Sequence, residues 1–153
     1  MAETNGDSPR VLNVGQCGYD HPRISRFLSK HFGAHVDRAH KLDDALGLME
    51  KARYDLVLVN RLLDVDQTSG LDVIRALKGE AAFADVPMML VSNYPEAQDE
   101  AVEIGAVRGF GKAQFGREET LKHLEAVLGA PLSPSSSVDP DLATPTLPRK
   151  PRS

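Results

Sequence analysis

Tyr54-Asp55-Leu56-Val57-Leu58-Val59-Asn60, followed by the polar run Arg61 to Ser69, decides how the rest of the chain is read. Four consecutive apolar residues closed by a polar one, with a loop behind them, mark a strand buried on both faces. Such a strand sits in the middle of a parallel sheet, and open α/β folds place their chemistry at its carboxyl end. Functional residues are therefore expected around Asn60, where an amide stands in place of a reactive group.

Upstream of this strand, Arg10-Val11-Leu12-Asn13-Val14 is a short β-rich run closed by Gly15, and the loop Gly15 to His21 follows. Asp20 or His21 caps a helix whose first turn accommodates Pro22. Ile24, Phe27, Leu28 and Phe32 repeat at helical spacing, and Gly33 ends the helix as a left-handed cap. Ala34 to Arg38 is a weak strand, best placed at a sheet edge. Leu42, Ala45, Leu46 and Met49 mark a second helix, with Asp43 and Asp44 in its first turn, where the helix dipole favours negative charge.

Downstream, Ser69-Gly70-Leu71-Asp72 has the spacing of a capping box and opens a helix through Leu77. Val86-Pro87-Met88-Met89-Leu90-Val91-Ser92 is a fourth strand, apolar and ending on a hydroxyl. Pro95 and Glu96 open a helix that Gly105 stops. Val107 to Gly111 is a short, glycine-loosened fifth strand ending at Lys112, and Glu118 to Leu128 is the last helix. Residues 1–9 and the proline- and serine-rich residues 131–153, with their basic end Arg149-Lys150-Pro151-Arg152, bury too little apolar surface to offset the entropy of ordering. They are read as disordered ends flanking one domain over residues 10–130.

Five strand–helix pairs with short connections predict an α/β, flavodoxin-like (βα)5 three-layer sandwich with a parallel sheet of order 2-1-3-4-5. Its cleft lies above strands one and three. That topology brings Gly15, Gln16, Asn60, Ser92 and Lys112 to one edge. The net charge of -4 and the lack of a basic stripe argue against nucleic acid as a partner. A single cysteine, Cys17, leaves no internal disulfide and fits a reducing cytoplasm. The polar, acidic start lacks the pattern of a secretory signal, and no apolar run reaches membrane-spanning length.

The ordered set of a strand ending at Asn60, Gly70-Leu71-Asp72-Val73-Ile74-Arg75, Val86-Pro87 before a strand ending at Ser92, Gly105-Ala106 and then Lys112 resembles the receiver domain of two-component response regulators. The resemblance covers about residues 10 to 129. It implies an aspartate at the end of strand three that accepts a phosphoryl group, two acidic residues after strand one that hold Mg²⁺, a Ser or Thr ending strand four, and a Lys ending strand five. Ser92 and Lys112 match. The aspartate position holds Asn60, the acidic pair falls on Gly15 and Gln16, and Ala113 follows the lysine where the family has a cis proline. A non-proline cis bond costs about 3 kcal/mol, so a trans link is expected. The aromatic switch position falls on Gly109, with Phe110 displaced by one and facing the other side of the strand.

Phosphoryl transfer to a side chain needs an anionic oxygen and a divalent ion. The amide of Asn60 is neutral, Gly15 has no side chain, and Gln16 offers one carbonyl to an ion that prefers charged oxygens. A hydrogen-bonded cluster Gln16–Asn60–Ser92–Lys112 is the expected replacement, with no catalytic residue and no Mg²⁺. The leading expectation is a stand-alone receiver-like signalling domain, not an enzyme, that works by protein contact through the helix 4–strand 5–helix 5 face as a monomer or weak homodimer. Two alternatives stand beside it. Asp64 or Asp66 in the loop after strand three would serve a phosphorelay, although loop aspartates are usually turn-formers. Alternatively, the Gln16–Cys17–Asn60–Lys112 edge would serve a small flavodoxin-like enzyme or ligand-binding protein. Cys17 is read as inert. The glycine-rich Gly109-Phe110-Gly111-Lys112 ends a strand and so is not a phosphate loop.

Overall fold

The computed structural model describes residues 8–114 and 117–129. The elements run β1 (Arg10–Val14), α1 (Asp20–Phe32), β2 (His35–Ala39), α2 (Leu42–Lys51), β3 (Leu56–Asn60), α3 (Gly70–Lys78), β4 (Met88–Val91), α4 (Pro95–Glu103), a 3₁₀ turn (Lys112–Gln114) and α5 (Glu118–Leu128). The strands pair in parallel in the order β2-β1-β3-β4. The doubly wound architecture expected from the strand–helix alternation is the one observed.

β3 explains why its sequence is apolar without alternation. Val57 and Val59 point into a core built with Ala45 and Met49 of α2, Val73, Ile74 and Leu77 of α3, and Ala97 and Ala101 of α4. Leu56 and Leu58 point the other way, into a core with Ile24, Leu28 and Phe32 of α1 and Leu124 of α5. All four of these β3 side chains are fully buried, and each burial contributes about 1.5–3 kcal/mol. β2 lies at the sheet edge and is only partly covered until Ala39. Gly33 closes α1 in the left-handed conformation, and its N–H returns to the Ser29 carbonyl.

Three expectations need correction. The capping box at Ser69 is not formed: Ser69 is the N-cap of α3, but its side chain makes no capping hydrogen bond. Pro9 belongs to the fold, since its carbonyl accepts the His35 N–H at 2.8 Å. The rest of the expected disordered ends, beyond Ser8 and Pro9, lies outside the described residues.

The third correction concerns the fifth strand. Residues 107–111 run beside β4, but the pairing is one parallel bridge, Val91 with Phe110. Val107 N–H donates to the Met88 carbonyl at 2.8 Å, and Ser92 N–H to the Phe110 carbonyl at 3.0 Å. Between those two points the ladder is interrupted by a side chain. Gln98 of α4 accepts the Gly109 N–H through Oε1 at 2.9 Å and donates through Nε2 to the Leu90 and Ser92 carbonyls at 2.9 and 3.1 Å. The amide thus replaces the missing backbone contact, and every group it touches is satisfied. A Cβ on Gly109 would lie 2.4 Å from the Leu90 carbonyl oxygen, so only glycine permits this approach. Among the described residues, no helix is long and apolar enough to cross a membrane.

Candidate functional site

The carboxyl edge of the sheet is built from the loops that leave β1, β3 and β4 and from the backbone that enters the 3₁₀ turn. Gly15 opens the first loop with φ +79°, a left-handed value, and a Cβ there would sit 2.6 Å from Leu63 Cγ. Its N–H donates to the Ala39 carbonyl, and its own carbonyl accepts the Asp64 N–H at 2.9 Å. The loop after β3 is therefore pinned against the loop after β1 by a main-chain hydrogen bond.

Asn60 completes that joint. Its Nδ2 donates to the Leu62 carbonyl at 2.8 Å and to the Gly15 carbonyl at 3.3 Å, and its Oδ1 accepts the Arg61 N–H at 3.1 Å. Both ends of the amide are used. A carboxylate here would oppose two carbonyl oxygens with no proton to offer, so the surroundings are matched to an amide.

The expected Gln16–Asn60–Ser92–Lys112 hydrogen-bonded cluster is absent. Lys112 reaches instead to Asp20 at the start of α1, with Nζ 2.6 Å from Oδ2. Cys17 Sγ donates to the same oxygen at 3.3 Å, and Arg23 lies 3.5 Å from the other. Burial of Asp20 would raise its pKa; the hydrogen bonds from Lys112 and Cys17 and the charges of Lys112 and Arg23 outweigh it, and the net effect is a lowering. Ser92 Oγ accepts the Tyr94 N–H at 3.1 Å. Gln16 is 1% exposed, and neither of its amide atoms has a hydrogen-bond partner.

A cleft of about 230 Å³ remains between these loops, lined by Asn60, Arg61, Leu62, Ser92, Asn93, Tyr94 and Lys112. It adjoins a groove of about 430 Å³ between α4 and α5, lined by Tyr94, Pro95, Arg108, Glu119, Thr120 and His123, with Gln98 and Gly109 at its floor. Ser92, Asn93 and Tyr94 border both. Phe110 lies 1% exposed in the core shared by α1 and α5.

Comparison with known proteins follows from this geometry. No family model matches the chain, and no curated protein matches it by sequence. Solved structures do match in shape. The chemotaxis protein CheY4 of Vibrio cholerae superposes with a TM-score of 0.65 at 24% identity, over 78% of this chain and 98% of that one. The receiver domain of NtrX from Brucella abortus gives 0.65 at 21% identity, over 77% and 97%. The signal receiver domain of a DNA-binding response regulator from Colwellia psychrerythraea gives 0.63 at 21%, over 78% and 99%. The fold is that of a receiver domain.

A receiver fold implies Mg²⁺ at this edge, and the residues present do not fit it. Mg²⁺ requires several hard oxygen ligands in near-octahedral array. Gly15 brings no side chain, Asn60 Oδ1 is turned to the Arg61 N–H, and the Asp20 carboxylate is held by Lys112. Among the described residues, no group of three His, Cys, Asp or Glu side chains converges to hold a metal. Asp66 Oδ1 accepts the Thr68 N–H at 3.0 Å, a turn within its own loop, and Asp64 is exposed. After Lys112 the described residues contain no cis peptide bond, and the Ala113 N–H donates to Asn93 Oδ1 at 3.2 Å, a bond that proline would forfeit.

Two residues that organise the edge escaped the sequence reading. Asp20 was read only as a helix cap, and its partner lies 92 positions away. Gln98 sits beside Ala97 and one turn before Ala101, on the buried stripe of α4. A polar residue on an apolar stripe was the available signal for it.

Proposed function

We propose that this chain is a receiver-like signalling module that acts by protein–protein contact and without aspartyl phosphorylation. The observation that carries the reading is the bonding of Asn60, whose amide donates to two backbone carbonyls and accepts one backbone N–H. The position that would bear the phosphoryl group is a structural joint between two loops. The pairing of Lys112 with Asp20 supports the same reading, because the lysine has a counter-charge that is present at all times. The groove between α4 and α5 is the proposed partner-binding face. Gln98 holds its floor to β4, so the face is set by the fold and needs no chemical trigger.

The test is a titration of the full ¹⁵N-labelled chain with Mg²⁺. The amides of Gly15, Gln16, Asp20 and Asn60 are expected to show no saturable shift at millimolar Mg²⁺. A saturable shift centred on these residues would contradict the proposal.

A further inference from the structure

Aromatic residues are scarce in this chain: it has three tyrosines and no tryptophan. Tyr54 is buried, but Tyr19 and Tyr94 are 72% and 54% exposed at the carboxyl edge. Each carries a guanidinium over its ring, Arg23 at 5.2 Å from the Tyr19 centroid and Arg61 at 4.8 Å from that of Tyr94. Exposed tyrosine paired with arginine is the composition that dominates binding at protein interfaces, because both bring large, stiff contact area. Lys112 links the pairs, bonding to Asp20 beside Tyr19 and lining the cleft with Arg61 and Tyr94.

The charge of that cleft is opposite to the charge of the molecule. Its lining includes Arg61, Lys112 already paired with Asp20, and no carboxylate, in a chain of net charge -4. Among the described residues, the Arg61 guanidinium meets no carboxylate; its contact is the Tyr94 ring. Ser92, 7% exposed, uses its hydroxyl oxygen to accept the Tyr94 N–H, which leaves the hydroxyl proton to donate into the cleft. The Arg61 fork, the Ser92 hydroxyl and the remaining protons of Lys112 are all donors. Donors with no carboxylate among them fit an oxyanion, and a planar guanidinium fits a carboxylate in two-point contact.

We propose that this cleft receives an Asp or Glu side chain from an acidic segment of a partner protein, with Tyr19 and Tyr94 packing against the residues on either side. A partner segment is favoured over a free anion because the two exposed rings extend the surface beyond what an ion covers. The proposal rests on the reading of this chain as a protein-contact module and names the chemistry of its partner.

The experiment titrates the full ¹⁵N-labelled chain with capped hexaglutamate, capped hexaglutamine, inorganic phosphate and a single-stranded hexadeoxynucleotide. Hexaglutamate is expected to give saturable shifts at Arg61, Ser92, Tyr94 and Lys112, and the other three probes much weaker ones. Arg61→Gln, which keeps the backbone bonds and part of the side-chain length of this half-buried residue, is expected to raise the hexaglutamate Kd about tenfold, the size of one lost charged hydrogen-bonding contact. Tyr94→Ala is expected to weaken it as well, while Arg53→Gln at the opposite edge leaves it unchanged. Equal binding of hexaglutamine, tighter binding of phosphate or of the oligonucleotide, or an unaltered Kd in a natively folded Arg61→Gln chain would each overturn the proposal. Such a failure leaves the Mg²⁺ titration untouched, so it is distinguishable from failure of the proposed function.

Discussion

Replacing Gln98 by methionine removes the amide that joins β4 to residues 107–111 while filling much the same volume. Three buried backbone groups then lose their partner: the Leu90 and Ser92 carbonyls and the Gly109 N–H. An orphaned buried polar group costs about 1–3 kcal/mol. Methionine keeps the gap filled, so the two backbones are not free to close and pair directly. If one of the three groups finds water, the two left cost about 2–6 kcal/mol, a large part of the 5–15 kcal/mol that holds a typical domain together. The assay is urea unfolding of the full chain, with amide exchange at Gly109 as the local readout. The variant is expected to unfold at clearly lower urea and to lose Gly109 protection by a larger factor than at β3. A methionine variant within about 0.5 kcal/mol of the parent, the range of an ordinary surface change, and with Gly109 still protected would show that the amide is not what holds this face.

Other substitutions test the remaining joints. Asn60→Asp, which introduces the residue type that phosphorylated receiver domains carry here, is expected to destabilise the fold by about 2–4 kcal/mol. It deletes two donated hydrogen bonds and sets a carboxylate against the Gly15 and Leu62 carbonyls; equal urea midpoints, or recovery with Mg²⁺, would refute this. Burial, then the charges of Arg38 and His40, hold the His21 pKa below its ordinary 6.5. The unfolded chain therefore takes up the proton first, so this stability is full above pH 6.5 and is lost as the pH falls below it. The urea midpoint should drop between pH 7 and pH 5, and His21→Gln should flatten that drop without abolishing it, because burial lowers His31 in the same direction. Asp20 is shifted below 3.8, so its contribution is full above that pH and lost beneath it. Asp20→Asn should flatten the acid limb and cost about 1–3 kcal/mol at neutral pH by leaving half-buried Lys112 without its charge.

The parts of the fold that were legible in sequence are those set by local pattern and burial. Leu56 to Val59 read as a two-faced strand because two separate cores demand apolar side chains on both sides. Gly33, Pro95 and the stripe of α1 placed helix ends because capping and periodicity act over one or two turns. What failed was non-local. Val107 to Gly111 has the composition of a strand, but whether it completes a ladder depends on a side chain from α4 that occupies the gap. Lys112 was assigned to Asn60 by topology, while Asp20, at the start of α1, offers it a full charge that an amide lacks. Ser92, Gly15 and Asn60 were visible as letters. That Asn60 is satisfied by main chain follows only from the course of the loop after β3.

The most direct measurement is the intact mass of the full chain after incubation with a small-molecule acyl phosphate and Mg²⁺, with the Asn60→Asp chain alongside. The parent chain is expected to gain no phosphoryl group, and the variant to gain little, because Gly15 and Gln16 supply no charged metal ligand. Transfer of one phosphoryl group to the parent chain, mapped to Asp64, Asp66 or any other carboxylate, would contradict a module that works without aspartyl phosphorylation.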